Sequence, residues 1–210
     1  MYINKDTIII GKNVILVPYR KEHVQKYHEW MKSEELQKLT ASEPLSLEEE
    51  YEMQQSWLRD ADKLTFIILE KAKYDTNKNE VESMIGDTNL FFINPDDRIS
   101  AEAEIMIADE SARGKKLGWE AMLHMFLYGI TYLNVKLFVV KISVDNDISQ
   151  NMFKNMGFIE ESRSEIFQEI TMTKVVDKLW EQWIHTHLDP YEIKESSQYL
   201  IVSFLFILIM

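Results

Sequence analysis

Residues 111–121, SARGKKLGWEA, set two of the chain's six glycines, Gly114 and Gly118, among three basic side chains, Arg113, Lys115 and Lys116. The chain as a whole is acidic, with 35 Asp plus Glu against 23 Lys plus Arg and a formal net charge of -12. A glycine-bearing basic knot in such a chain is a candidate anion site. Upstream lies ISAEAEIMIA (99–108), which alternates like a strand. Downstream, Met122, Met125, Phe126, Gly129, Ile130 and Leu133 recur at the spacing of one helical face. A strand that turns through such a loop into a helix leaves the first-turn N–H groups, here around Leu117 and Gly118, unpaired and at the positive end of the helix dipole. Glycines let the backbone approach a pyrophosphate closely, and consecutive amides form an anion nest. The alternative for the same residues is a tight strand-to-helix turn with solvated basic side chains. The spacing is neither a G-x-x-x-x-G-K-[ST] nucleotide loop nor a dinucleotide G-x-G-x-x-G.

The preceding strand carries a second kind of chemistry. By period two, Glu102, Glu104 and Met106 share one face, and Ala103, Ile105 and Ile107 share the other. Two carboxylates opposite an apolar face suit a wet cleft in which one of them acts as a general base. A solvent-facing strand surface would read the same way. Glu104 is preferred over Glu102 because it stands nearer the loop. His185 and His187 form a pair with no third ligand in view, so no metal site is expected. Trp180 and Trp183 read as packing residues.

The elements that must position these groups follow from pattern. VILVPY (14–19), KLTFIILE (63–70), MIGDTNLFFIN (84–94), 99–108 and KLFVVKISV (136–144) read as strands. A further strand starts at Phe158, and IFQEITMTKV (166–175) closes the sheet. Val24, Tyr27 and Met31 fall at helical spacing. Ser46 and Glu49 stand in capping-box spacing and predict a helix from Leu47. KAKYDTNKNEVES (71–83) reads as a polar surface loop. A short helix is predicted over about 148–156, with Ile148, Met152 and Met156 on one face and Gly157 as its left-handed cap.

Composition bounds the function. A chain of 210 residues suits one compact domain. The acidic balance argues against nucleic-acid binding, which needs a basic footprint. There is no cysteine, which excludes disulfides and thiolate metal sites. The first residues lack the pattern of a signal peptide, so a cytoplasmic or nuclear location is the expectation. YLIVSFLFILIM (199–210) is apolar but shorter than the roughly 20 residues of a membrane-spanning helix, and no other membrane contact is expected.

Arg113-x-x-x-x-Gly118 resembles the R/Q-x-x-G-x-G/A pyrophosphate loop of the GNAT superfamily of acyl-CoA N-acyltransferases. NDISQNMFKNMGF (146–158), with Asn146 and Ser149, resembles the segment that follows that superfamily's fifth strand. The segments 11–45, 106–122 and 166–172 are similar to the eukaryotic N-acetyltransferase 9-like group almost position by position. The resemblance covers about residues 1–175. It implies a single mixed α/β domain over 1–178, followed by an extension over 179–210. Its sheet would have six or seven mostly antiparallel strands, with a parallel fourth and fifth pair opening at the acetyl-CoA site.

The resemblance also implies chemistry. Acetyl-CoA would be the co-substrate. Its arm and thioester would meet backbone amides near Met106, Ile107 and Ala108. Its pyrophosphate would meet Arg113, Gly114, Lys115, Lys116, Leu117 and Gly118, with Asn146 and Ser149 nearby. The acceptor would be a primary amine of a protein, attacking directly with a glutamate as base; the lower pKa of an α-amine, rather than the resemblance, favours a protein N-terminus over a lysine. Tubulin is a partner the group suggests. Two positions depart from the family pattern. Lys116 stands at the loop's middle glycine, and Phe153 stands where many relatives carry the tyrosine that protonates the leaving thiolate. Those departures support an alternative, a binding module with weak catalysis that acts through a protein partner such as tubulin.

Overall fold

The computed structural model describes residues 2–94, 96, 98–188 and 190–195; the apolar segment 199–210 lies outside the described residues. The chain opens with a hairpin of β1 (Thr7–Ile10) and β2 (Val14–Pro18), followed by three helices, α1 (Val24–Trp30), α2 (Glu34–Thr40) and α3 (Leu47–Arg59). α3 starts where its capping box requires: the Glu49 amide donates to Ser46 Oγ (3.3 Å) and the Ser46 amide donates to Glu49 Oε2 (2.8 Å). Next come β3 (Lys63–Glu70), α4 (Lys71–Asn77), α5 (Glu80–Ser83), β4 (Met84–Phe92) and β5 (Ser100–Ile107). The long α6 (Leu117–Leu133) leads to β6 (Leu137–Ser143), α7 (Asp147–Asn155), β7 (Ile159–Ser164), β8 (Glu169–Val175), α8 (Lys178–Leu188) and β9 (Glu192–Glu195).

Among the described residues the strands make one sheet of nine, in the order β7-β8-β6-β5-β4-β3-β2-β1-β9. All neighbours are antiparallel except β5 and β6. The mixed α/β fold is the expected one, with the parallel pair where the resemblance implies it. The strand count exceeds the six or seven expected, because β1 and β9 are four residues each, too short to carry a periodic signal. Residues 71–83 form two short helices rather than a loop. Lys71 pairs with Asp75 one turn on, and Asn79 Oδ1 caps α5 by accepting from the Glu82 amide at 3.2 Å. Ile148 is 86% exposed, so only Met152 and Met156 of the predicted α7 face turn inward.

The sheet is buried on both sides. One face carries the core of α6, α7 and α8, built on Phe126, Phe138, Phe153, Phe158 and Trp180. The other carries the core of α1 and α3, built on Tyr19, Val24, Tyr27 and Ile67. α8 belongs to the first core: Trp180, Ile184 and Leu188 are buried, and the Trp180 indole N–H donates to the Met156 carbonyl at 2.8 Å. β9 then pairs with β1.

These contacts predict how truncations behave. A chain ended after Glu195 keeps cooperative thermal unfolding, because each described element precedes that point. A chain ended after Asp177 loses three buried apolar side chains at roughly 1.5–3 kcal/mol each, a sum comparable with a whole domain's stability. It should unfold at a much lower temperature or without cooperativity in a calorimetric scan.

Candidate active site

The parallel ladder between β5 and β6 stops early. Its register covers only Ser100↔Leu137, Ala101↔Phe138 and Glu102↔Val139. β5 meanwhile stays paired with β4 out to Ile107, and β6 stays paired with β8 out to Ser143. The two strands therefore separate beyond Glu102 and leave a V-shaped gap. The Ala108 amide donates to the Ile85 carbonyl at 2.9 Å, so by antiparallel alternation residues 102, 104, 106 and 108 bond β4. The amides of Ile105 and Ile107 turn the opposite way, into the gap. Arg113 Nε donates to the Ile107 carbonyl at 3.1 Å from that side. Of the expected Met106–Ala108 trio, the structure brings the Ile107 backbone to the gap and adds that of Ile105. The amides of Met106 and Ala108 are engaged with β4, and their side chains lie in the α1/α3 core.

At the open end of the V stands the start of α6. Gly114 has φ +73° and Lys116 φ +62°, both left-handed. Lys116 therefore occupies a position suited to glycine, at roughly 1–2 kcal/mol of strain. No side chain caps α6, which leaves the first-turn amides of Leu117, Gly118 and Trp119 open to an anion. A Cβ on Gly118 would lie 3.2 Å from Ile107 Cγ1 and 3.3 Å from Ile105 Cδ1, so glycine lets the helix start press against β5. Arg113 is committed to the loop: Nη1 donates to Glu35 Oε1 at 3.1 Å, which ties the turn to α2. Lys115 Nζ sits 3.8 Å from Glu70 Oε1, and Lys116 is exposed. Asn146 Oδ1 caps α7 by accepting from the Ser149 amide at 3.1 Å, so both residues organise the turn that ends β6. Phe153 is buried against Phe126 and Phe158 and offers no phenol at that position.

The two expected carboxylates are differently placed. Glu102 Oε2 lies 2.8 Å from Lys141 Nζ across the closed end of the V, and this bond raises the lysine's pKa. Glu104 is past the split, half-exposed, and 3.8 Å from Lys63 Nζ, which itself sits 3.8 Å above the Trp57 ring. Sequence reasoning missed a third carboxylate. Asp87 of β4 pairs with Met106, lies on the same face as Glu104 and is 2% exposed. Asn89 Nδ2 donates to Asp87 Oδ2 at 2.9 Å, while Asn89 Oδ1 accepts from the Thr65 hydroxyl. Burial pushes Asp87 up to about 7; Lys63 pulls it down, Glu104 pushes it further up, and the Asn89 bond pulls it down. Its Oδ1 has no hydrogen-bond partner among the described residues, nor do Tyr19 Oη, Glu50 Oε2 and His28 Nδ1 on the same side of the sheet. The available signal was the polar triplet Asp87-Thr88-Asn89 inside an otherwise apolar strand.

A splayed parallel pair with open amides, ending at an uncapped helix start, is the architecture of an acyl-CoA-dependent acyltransferase. Residues 13–159 match the family model described as an acetyltransferase (GNAT) domain. An N-acetyltransferase 9-like protein of Nematostella vectensis is 53% identical over 173 residues, 82% of this chain and 87% of that one. A human protein named alpha/beta-tubulin-N-acetyltransferase 9 is 47% identical over 199 residues, 91% of this chain and 96% of that one. A Vibrio cholerae spermidine N-acetyltransferase solved with CoA and spermine superposes with a TM-score of 0.66 at 19% identity, over 78% of this chain and 95% of that one. This chain belongs to the GNAT acetyltransferase family, and it is an acetyl-CoA-dependent N-acetyltransferase.

The strain at Lys116 gives a direct test. Lys116→Gly removes the left-handed penalty and adds back part of glycine's backbone freedom in the unfolded chain. A net gain of about 1 kcal/mol, or ~2–4 °C in Tm, is expected. A lower Tm would mean that the Lys116 side chain holds the loop.

Proposed function

We propose that the protein moves the acetyl group of acetyl-CoA onto the α-amine of a protein N-terminus, with Glu104 receiving the amine's proton through water. The observation that carries this reading is the loss of β5–β6 register after Glu102. The same split opens the Ile105 and Ile107 amides and leaves Glu104 at the edge of the cleft. The geometry supports one sequence of events. The pyrophosphate caps α6, the pantetheine arm extends along β5, and the thioester carbonyl takes a hydrogen bond from a gap-facing amide. Preorganised donors of this kind stabilise the tetrahedral oxyanion, and holding both substrates in one cleft supplies much of the rate. Glu102 is already paired with Lys141, which favours Glu104 as the base.

The preference for an α-amine rests on pKa. At pH 7 the neutral fraction is roughly 0.1 for an α-amine and roughly 0.0004 for a lysine. With Phe153 in the tyrosine's position, α7 gives no acid there to help the thiolate leave. Such a site favours the amine that deprotonates more readily. The chain's negative charge draws N-termini flanked by basic residues. The human relative's name directs attention to tubulin as the protein substrate. Phe153 also motivates a second reading, a binding module that turns over weakly and acts through its protein partner. Acetyl transfer above the uncatalysed background separates the two.

Two assays test the proposal. Glu104→Gln should lower kcat on the order of 10²-fold while acetyl-CoA affinity holds. Equal turnover would remove Glu104 from the base role. A peptide with a free N-terminus and blocked lysines should be acetylated faster than its acetyl-capped partner carrying one free lysine. The reverse order would refute the α-amine preference.

A further inference from the structure

Asp87 is an expensive residue to bury. Its Oδ2 takes one hydrogen bond from Asn89, which an asparagine at 87 would accept equally well without a charge. Its Oδ1 is buried and has no hydrogen-bond partner among the described residues. The cross-strand partner of Asp87 is Met106, and Glu104 is the diagonal neighbour on the same face, with backbone positions roughly 7–8 Å apart, within reach of long side chains or one water. Asp87 is thus the carboxylate directly behind Glu104, one strand further from the gap.

We propose that Asp87 is the proton-relay residue of this acetyltransferase, receiving through Glu104 or a shared water the proton that the substrate amine sheds. The inference rests on the reading of Glu104 above. The atoms balance as follows. The bound ammonium gives a proton to Glu104 and becomes a nucleophile. The amine nitrogen bonds the thioester carbon, the carbon–sulfur bond breaks, and the thiolate leaves as CoA thiol after taking up the proton lost by the attacking nitrogen. One proton remains in surplus for each ammonium consumed. The O–H bond on Glu104 breaks as one forms on Asp87, and Asp87 returns the proton to water once the products leave.

The surroundings suit that role. Lys63 of β3 is the cation that acts on Asp87, and Glu104 of β5 is the nearest like charge. Asn89 of β4, itself held by the Thr65 hydroxyl of β3, donates to one carboxyl oxygen. Tyr19 after β2, Tyr27 of α1 and Glu50 of α3 complete the layer, and each tyrosine feels the Asp87 charge. Burial raises both phenols and Glu50, and it raises Asp87 to about 7. An acceptor whose pKa lies near the working pH takes and returns a proton with little driving cost in either direction.

The test compares Asp87→Asn, Asp87→Glu and Glu104→Gln with the parent chain, by pH–rate profile, acetyl-CoA titration and thermal melting. In the parent, kcat should fall on the acid side with a midpoint near pH 7. Asp87→Asn should lose about tenfold in kcat and lose that midpoint, with acetyl-CoA affinity unchanged. Asp87→Glu should restore part of the rate and an acid limb. Stability provides a check on structure. A carboxyl whose folded pKa is raised destabilises the native state as pH rises from about 4 through about 7. Asp87→Asn should therefore melt higher than the parent at pH 8 and gain little at pH 4. A full rate and unshifted profile in Asp87→Asn, with Glu104→Gln impaired, would overturn the relay and leave the Glu104 assignment standing. Full rates in both variants would overturn both. A lower Tm for Asp87→Asn at pH 8, with Asp87→Glu equally inactive, would make Asp87 a structural residue and overturn the relay.

Discussion

The separation of β5 from β6 after three paired positions is the constraint on which the site depends. Buried backbone amides in a sheet are ordinarily satisfied by the neighbouring strand. Here each strand keeps its other neighbour while the two part from one another, so β5 retains full support from β4 and still exposes amides on its free side. A rigid strand with open donors is what an acyl-transfer site requires, because the donors incur no reorganisation when charge develops on the thioester oxygen. The same split divides the carboxylates. Glu102, on the closed side, pairs with Lys141 at 2.8 Å, and Glu104, on the open side, lies 3.8 Å from Lys63.

α6 holds the V in place from below. At its first turn Gly118 abuts Ile105 and Ile107; three turns later a Cβ on Gly129 would lie 3.0 Å from Phe138 of β6 and 3.1 Å from Leu90 of β4. Glycine at both points lets the helix lie against the sheet at the open and closed ends of the gap. The helix start is also fixed without being capped. Glu120 accepts from the Asn13 amide (2.8 Å), Asn13 Nδ2 (2.7 Å) and the Val14 amide (3.3 Å), which ties α6 to the β1–β2 hairpin. Burial pushes Glu120 up, but His124 and these donors outweigh it and hold the carboxyl at about 2. The charge near the helix start is thus spent on the hairpin, and no side chain caps the amides of residues 117–119.

Much of this was legible in the sequence, for reasons that are themselves physical. Loop and strand patterns locate the elements around the V because glycine spacing and period-two alternation are local properties, whereas the opening of the parallel pair was implied by the family resemblance. The capping box at Ser46 and the left-handed Gly157 are local too. What the sequence hides is pairing. Which amides of β5 face the gap depends on antiparallel alternation with β4, so the favoured backbone residues move from Met106 and Ala108 to Ile105 and Ile107. Whether Arg113 is free depends on Glu35, 78 positions away. The polar triplet 87–89 marks Asp87 in the sequence but not its environment, which is assembled by Lys63, Asn89 and Glu104 from three strands, with Tyr19, Tyr27 and Glu50 beyond them.

The central claim is that acetyl-CoA lies in the V between β5 and β6 with its pyrophosphate on the start of α6. Amide chemical-shift mapping of the labelled protein during acetyl-CoA titration tests it most directly. The account predicts the largest, saturable shifts at Ile105, Ile107, Leu117, Gly118 and Trp119. Shifts gathered instead on the outer side of α3, around Leu47, Tyr51 and Gln55, with those five amides unmoved, would contradict it.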